Sequence, residues 1–210
     1  WKTFGSIQSV DVEYSRDGFK REARAAAKGI ENTGRYDWTI PDALGDTVWV
    51  RVSDAKDRKV ASSHGDPFRI QGALSLLTPT GGEVLEVGSE QVLSWQSAGS
   101  ITHVKLEYLS MGGGPPDLKP VIDTSAKPEE SAWLIEASLP NRGEYLWKVP
   151  ESLPGKIRIR VSDPADPKVF SVTPSELAVR GVIRIMAPAG GVRWPVGSRQ
   201  EIAWRTLGPV

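Results

Sequence analysis

Apolar and polar residues alternate in short runs along most of the chain. In Val104-Lys-Leu106-Glu-Tyr108, and again in Ile157-Arg-Ile159-Arg-Val161, every second side chain is apolar and those between are charged. A period of two sends successive side chains to opposite faces of a strand, so each run predicts a sheet with one core face and one wet face. Between 73 and 181 the pattern predicts seven strands, near 74–77, 91–96, 104–109, 133–137, 143–149, 156–162 and 175–180, with a short piece at 84–87. Turn residues separate them, which is the signature of an all-β domain and not of alternating strands and helices. One stretch departs from the pattern. Phe19-Lys-Arg-Glu-Ala-Arg-Ala-Ala-Ala-Lys28 is helical by propensity. It lies between the strand at Tyr14 and the one at Tyr36, a place that suits an edge strand or a single helical turn equally.

The pattern also repeats. Gly34-Arg-Tyr36-Asp-Trp38-Thr-Ile40-Pro41 returns as Gly143-Glu-Tyr145-Leu-Trp147-Lys-Val149-Pro150, a shift of 109. Val50-Arg51-Val52-Ser53-Asp54 returns with the same shift as Ile159-Arg160-Val161-Ser162-Asp163, and Pro79-Thr-Gly81-Gly82, Val87-Gly88-Ser89 and Trp95 as Pro188-Ala-Gly190-Gly191, Val196-Gly197-Ser198 and Trp204. The opening stretch obeys a shift of 94: Trp1, Gly5, Ile7, Val10, Glu13 and Tyr14 match Trp95, Gly99, Ile101, Val104, Glu107 and Tyr108. The middle unit therefore carries 15 extra residues, placed in an enlarged loop at 110–132 that holds Met111-Gly-Gly-Gly-Pro-Pro116. A period near a hundred residues is the size of one β-sandwich and too long for a solenoid coil.

The expected organisation is thus tandem immunoglobulin-like β-sandwiches: a partial repeat at 1–72 lacking its opening strands, a complete one at 73–181, and the opening strands of a third at 182–210. The junctions Gln71-Gly72-Ala73 and Arg180-Gly181-Val182 contain no spacer, which predicts closely spaced neighbours. Because 182–210 supplies what 1–72 lacks, and Trp204-Arg-Thr-Leu-Gly208 lies over Trp1-Lys-Thr-Phe-Gly5, partners are expected to be neighbouring repeats or copies of the same chain, joined by strand addition.

Composition narrows the function classes. Lys plus Arg and Asp plus Glu both number 26, leaving no net field to draw nucleic acid or an anionic membrane. The segments are uneven, with 12 basic against 11 acidic residues in 1–72, 10 against 14 in 73–181 and 4 against 1 in 182–210. No cysteine is present, which removes disulfides and thiolate chemistry. No run of 18 apolar residues predicts a membrane span, and no basic-then-apolar segment opens the chain, which reads as part of something longer.

The motifs Pro-x-Gly-Gly, Val-Gly-Ser, Gly-x-Tyr-x-Trp-x-Val/Ile-Pro and Val/Ile-Arg-Val-Ser-Asp-x-x-Asp resemble a family of secreted repeats of bacterial and archaeal surface proteins. They are similar also to the Ser/Thr-rich amino-terminal domain of fungal cell-wall synthesis proteins. The resemblance implies an exported immunoglobulin- or fibronectin-like sandwich used as spacer or binding module, and no catalytic residues.

Each candidate for chemistry has a plainer reading. Trp1, Trp95 and Trp204 share one repeated position and Trp38 and Trp147 another, so they belong to the core; Trp49, Trp133 and Trp194 recur nowhere and are the surface candidates for sugar stacking. Asp54 with Asp57, and Asp163 with Asp166, suggest calcium, but two carboxylates fall short of the six to eight oxygens it takes, and Asx turns beside Pro164 and Pro167 account for them. Ser15-Arg-Asp17-Gly18-Phe19 resembles an Asp-box hairpin. His64 and His103 occupy unrelated places, and the Gly-rich 111–114 lacks the Lys-Ser/Thr of a phosphate loop. No catalytic, cofactor or metal residue is therefore assigned. Three functions fit: a non-enzymatic structural segment of an extracellular or cell-surface fibre, a glycan- or protein-binding adhesin module using the 111–130 loop, and an accessory domain of an exported hydrolase.

Overall fold

The computed structural model describes residues 1–63, 65–110, 131–153 and 155–208. In chain order the strands are β1 (Ser9–Ser15), β2 (Arg24–Glu31), β3 (Gly45–Asp54), β4 (Ala61–Ser63), β5 (Phe68–Ile70), β6 (Ala73–Thr78), β7 (Val84–Glu86), β8 (Glu90–Ala98), β9 (His103–Ser110), β10 (Ser131–Pro140), β11 (Glu144–Lys148), β12 (Lys156–Asp163), β13 (Asp166–Val172), β14 (Leu177–Arg180), β15 (Val182–Ala187) and β16 (Ala203–Leu207). There is no helix among the described residues. The chain forms two compact units, Trp1–Gly72 and Ala73–Val210.

In the second unit, β6-β8-β11 form one sheet and β10-β9-β12-β14-β7 the other, with β13 also paired to β12. Alternate residues of the two sheets meet in one core. Leu93, Trp95 and Trp147 come from the first sheet, and Val104, Leu106, Tyr108, Ile157, Ile159, Val161 and Leu177 from the second, all buried. Each such side chain stabilises the fold by roughly 1.5–3 kcal/mol. Besides the hairpins β9-β10 and β12-β13, the sheet neighbours are strands that are not consecutive, such as β8 with β11 and β9 with β12, as in a Greek key, and the architecture is an immunoglobulin-like β-sandwich. Two antiparallel sheets are linked at one edge, where β7 leaves the line of β6 to pair in parallel with β14.

The first unit contains one sheet, β2-β1-β3-β4 with β5 also on β3. Its strands stand in the repeat frame at β10, β9, β12, β13 and β14. Val12 faces Val52 as Leu106 faces Val161, and Tyr14 faces Val50 as Tyr108 faces Ile159. Nothing in this unit corresponds to β6, β7 or the first half of β8. Residues 35–39, which match β11, accordingly form no strand. The backbone groups of β11 are bonded to β8 through pairs such as Tyr145 with Leu93, and the first unit offers no such strand.

Of the two readings of the alanine-rich stretch, residues 24–31 take the edge strand, because pairing with β1 satisfies the backbone and overrides local helical preference. Other expectations change. β13 occupies a stretch expected to be a turn and loop; the turn at Asp163 is so tight that Asp166 already pairs back with it. The non-core face is not wet at the sheet centre, where Glu107 and Arg160 are both buried. Residues 182–207 form a hairpin, β15 with β16, in the register of β6 with β8: Ile185 faces Trp204 as Leu76 faces Trp95. The hairpin base is anchored in the second unit by Leu207 and Val182.

Candidate functional site

The feature that sets this molecule apart is an apolar surface left open in the first unit. Ile40 is 52% exposed where its counterpart Val149 is 1%, Val60 is 47% where Val169 is 4%, and Phe68 is 36% where Leu177 is fully buried. Trp1, Val50, Val52, Ser62, Ser63 and Phe68 line a groove of about 480 Å³ on this face. The core beneath is small, consisting of Tyr14, Ala43, Val48 and Ile70 with Trp38 and Val50 packed against them. Tyr14 meets Trp38 at 5.1 Å between ring centroids, and Trp38 meets Phe68 edge-on at 6.4 Å.

The polar frame around this face repeats the principal bonds of the complete sandwich. The Trp1 indole N–H donates to Asn32 Oδ1 at 2.8 Å, as that of Trp95 donates to Asn141 Oδ1 at 2.8 Å. Asn32 Nδ2 donates to the Ile7 carbonyl at 2.9 Å, and Asn141 Nδ2 to that of Ile101 at 2.8 Å. On the other side of the sheet Arg51 pairs with Glu13 at 2.8 Å, and Arg160 with Glu107. Lys105 joins Glu107 at 2.8 Å. The repeat frame matched Trp1 with Trp95, Ile7 with Ile101, Glu13 with Glu107 and Arg51 with Arg160, but it passed over Asn32 and Asn141 and did not foresee that the charged pair is buried; the signal was a Glu and an Arg recurring at facing register positions.

The hairpin presents a second apolar surface. Ile183, Ile185, Met186, Val192, Trp194, Val196, Ile202 and Trp204 are all exposed, from 41% for Trp194 to complete exposure of Val196. Trp204 was expected in a core and is 62% exposed, because no facing sheet covers it.

The remaining candidates resolve as follows. Trp95 and Trp147 are buried; Trp1 and Trp38 are only half-buried, as no second sheet among the described residues covers them. Trp133 is not a surface residue: it is 3% exposed and stacks on Tyr108 at 5.5 Å, which in turn stacks on Trp147 at 6.5 Å. Trp133 occupies the register position of Arg24, so no aromatic match existed to mark it as core. Trp49 is half-buried and Trp194 exposed. Burial among these rings pushes the Tyr108 phenol up to about 12. Asp54, Asp57, Asp163 and Asp166 each accept a backbone N–H two residues on, at 2.8, 3.0, 2.8 and 3.3 Å, in Asx turns. Asp17 holds its hairpin by accepting from Ser15 Oγ at 2.7 Å and from the amides of Lys20, Arg21 and Glu22; the Ser15 bond above all keeps its carboxyl below the usual range. His103 is exposed and contacts Thr102, whereas His64 and the 111–130 loop lie outside the described residues. No described helix is long and apolar enough to cross a membrane.

No known family model matches the sequence, and no curated protein does. Among solved structures, fibronectin(III)-like modules of CbhA from Clostridium thermocellum overlay with a TM-score of 0.31 at 14% identity, over 85% of this chain and 82% of that one. The Dpr2 Ig1-Ig2 structure in complex with DIP-Theta Ig1-Ig3 overlays with a TM-score of 0.30 at 13% identity, over 86% of this chain and 60% of that one. Both are sandwich proteins, and the overlays are too loose to bear on function. The immunoglobulin-like assignment rests on the sheet order of residues 73–180 itself.

Proposed function

We propose that the chain is a non-enzymatic structural segment of a long extracellular or cell-surface fibre or stalk, in which repeated sandwiches provide length and stiffness. The observation that carries this reading is recurrence of framework without recurrence of chemistry. Trp–Asn, Glu–Arg, the Tyr–Trp core and the Asx turns return in both units at offsets of 94 and 109, while other polar partners, such as Arg58 on Glu13 and Lys105 on Glu107, do not. A repeated frame with variable decoration suits a spacer, whose role lies in the array and not in any single repeat. The likeness of the repeated motifs to those of secreted surface repeats supports an exported location. The test is immunolabelling of intact source cells with antibodies raised against the purified chain. Labelling of extended surface material on unpermeabilised cells is expected; labelling only after permeabilisation contradicts the proposal.

A further inference from the structure

We propose that the free edge of β11 is a contact through which two copies of this chain pair, joining their β6-β8-β11 sheets antiparallel about a two-fold axis at Leu146. The inference concerns the second unit by itself and does not rest on the fibre reading.

β11 is an edge strand, since β8 pairs with one side of it and no described strand pairs with the other. Its pairing with β8 runs from Glu144 to Lys148 without a register shift. The edge strands β2 and β10 differ, for each is displaced twice against its neighbour. Such bulges twist an edge and blunt it against further pairing, and β11 carries none. The ladder also fixes which backbone groups are free. The Trp95 amide donates to the Gly143 carbonyl at 2.8 Å, and the Val149 amide to that of Ser89 at 2.9 Å. Bonded residues alternate along an antiparallel pair, so Tyr145 and Trp147 also turn to β8. The N–H and C=O groups of Glu144, Leu146 and Lys148 therefore point to the open side.

The side chains of those three residues identify the strand that fits. Leu146 is 57% exposed beside Val92, itself 45% exposed. Glu144 and Lys148 are exposed and hold no ion pair among the described residues. A lone lysine on an edge guards against pairing. Here Glu144 and Lys148 stand symmetrically about Leu146, which reverses that effect. Antiparallel pairing with a second copy puts Glu144 opposite Lys148 of the second copy, Lys148 opposite its Glu144, and Leu146 opposite its Leu146. Opposite charges at facing positions attract, and the two leucines carry the apolar row from Val92 across the joint. The facing pairs are also those whose backbone groups are free, so each exchanges both hydrogen bonds. A shift of two residues loses the match, because it sets Leu146 against a charge. Pro150 has no N–H to donate and ends the ladder beyond Lys148.

The approach is open. Leu139, Pro140, Arg142 and Tyr145, with Leu146, line a groove of about 670 Å³ beside this edge. At the same repeat positions the first unit holds Arg35, Asp37 and Thr39, and the same pairing would set Asp37 against its own copy. The match therefore belongs to the second unit. Because one surface meets itself, the contact closes at two copies.

The test uses the full chain. A five-residue ladder is a small contact, so the dimer should dissociate at about 10–100 µM. Sedimentation from ~1 µM to ~1 mM should show association in that range. Glu144→Lys or Lys148→Glu alone sets like charges face to face and should weaken association about tenfold, whereas both together should restore it. All of these side chains are exposed, so the fold should not be disturbed. Register is read by cysteine substitution, since the chain has no native cysteine and facing residues of a bonded pair lie about 5.5 Å apart at Cα, within disulfide reach. Leu146→Cys should oxidise to a covalent dimer at least ~tenfold faster than Ser75→Cys, an exposed site on β6 of the same sheet. A chain that stays monomeric throughout, single reversals without effect, a double reversal that fails to restore association, or equal oxidation rates would each overturn the proposal.

Discussion

The first and second units carry the same sheet, the same Trp–Asn bond and the same Glu–Arg pair, yet one is a closed sandwich and the other a single layer. The difference lies in what faces the sheet. In the second unit β6, β8 and β11 cover it, and Trp147, Val149, Val169 and Leu177 are buried. In the first, the matching Trp38, Ile40, Val60 and Phe68 remain half-buried or exposed although their own backbone frame is intact. Register is therefore set by strand pairing within the sheet, whereas most of the burial energy comes from the sheet opposite.

The comparison can be broken most forcefully at the paired tryptophans. Trp147→Ala should cost about 3–5 kcal/mol, as a large buried aromatic leaves a cavity. Trp38→Ala, from a half-buried site, should cost roughly half as much. Urea unfolding of the two variants measures both, and equal costs would show that the first unit is covered after all.

The buried ion pair sharpens the contrast. Glu107→Gln removes the buried carboxylate charge that Arg160, 4% exposed at its side chain, and Lys105 share, and should destabilise by about 3–5 kcal/mol. Glu13→Gln should cost only about 1 kcal/mol, because its partners Arg51 and Arg58 are 29% and 60% exposed and turn to water. Thermal melts of the two variants rank the effects.

The smallest effects are titrations. The Tyr108 phenol is raised in the folded state from 10.0 to about 12, so the neutral form is favoured by folding. Its contribution is complete below pH 10 and is lost as pH rises from 10 towards 12; Tyr108→Phe should flatten that limb of the stability profile. Glu83 moves the other way. Partial burial opposes ionisation, but the Thr80 hydroxyl, the Thr80 amide and the Gly81 amide outweigh it at 2.8, 2.6 and 2.7 Å, and its carboxyl lies below 4.5. Its contribution is present above pH 4.5 and is lost as pH falls below that through the folded value. Glu83→Gln should remove this acid limb.

Much of the frame was legible because strand periodicity and the 109-residue shift both report backbone register. Val50, Val52 and Trp38 found their counterparts from spacing alone. What spacing does not report is the partner across the interface. Trp204 and Trp95 share a position, but one is 62% exposed and the other 3%, since burial depends on a second sheet. Trp133 read as a surface residue because its match is Arg24; only stacking on Tyr108 reveals its role. β13 escaped notice because Pro164 and Pro167 are turn signals, and the strand follows a turn of minimal length. The helical propensity of 19–28 lost to β1, whose free edge the segment satisfies.

Burial in this repeat comes from the facing sheet, and amide hydrogen exchange tests this directly. The amides of Tyr145 and Trp147, paired with β8, should be protected, and those of 35–39, which form no strand, should exchange freely. Protection of 35–39 equal to that of Tyr145 and Trp147 would contradict it.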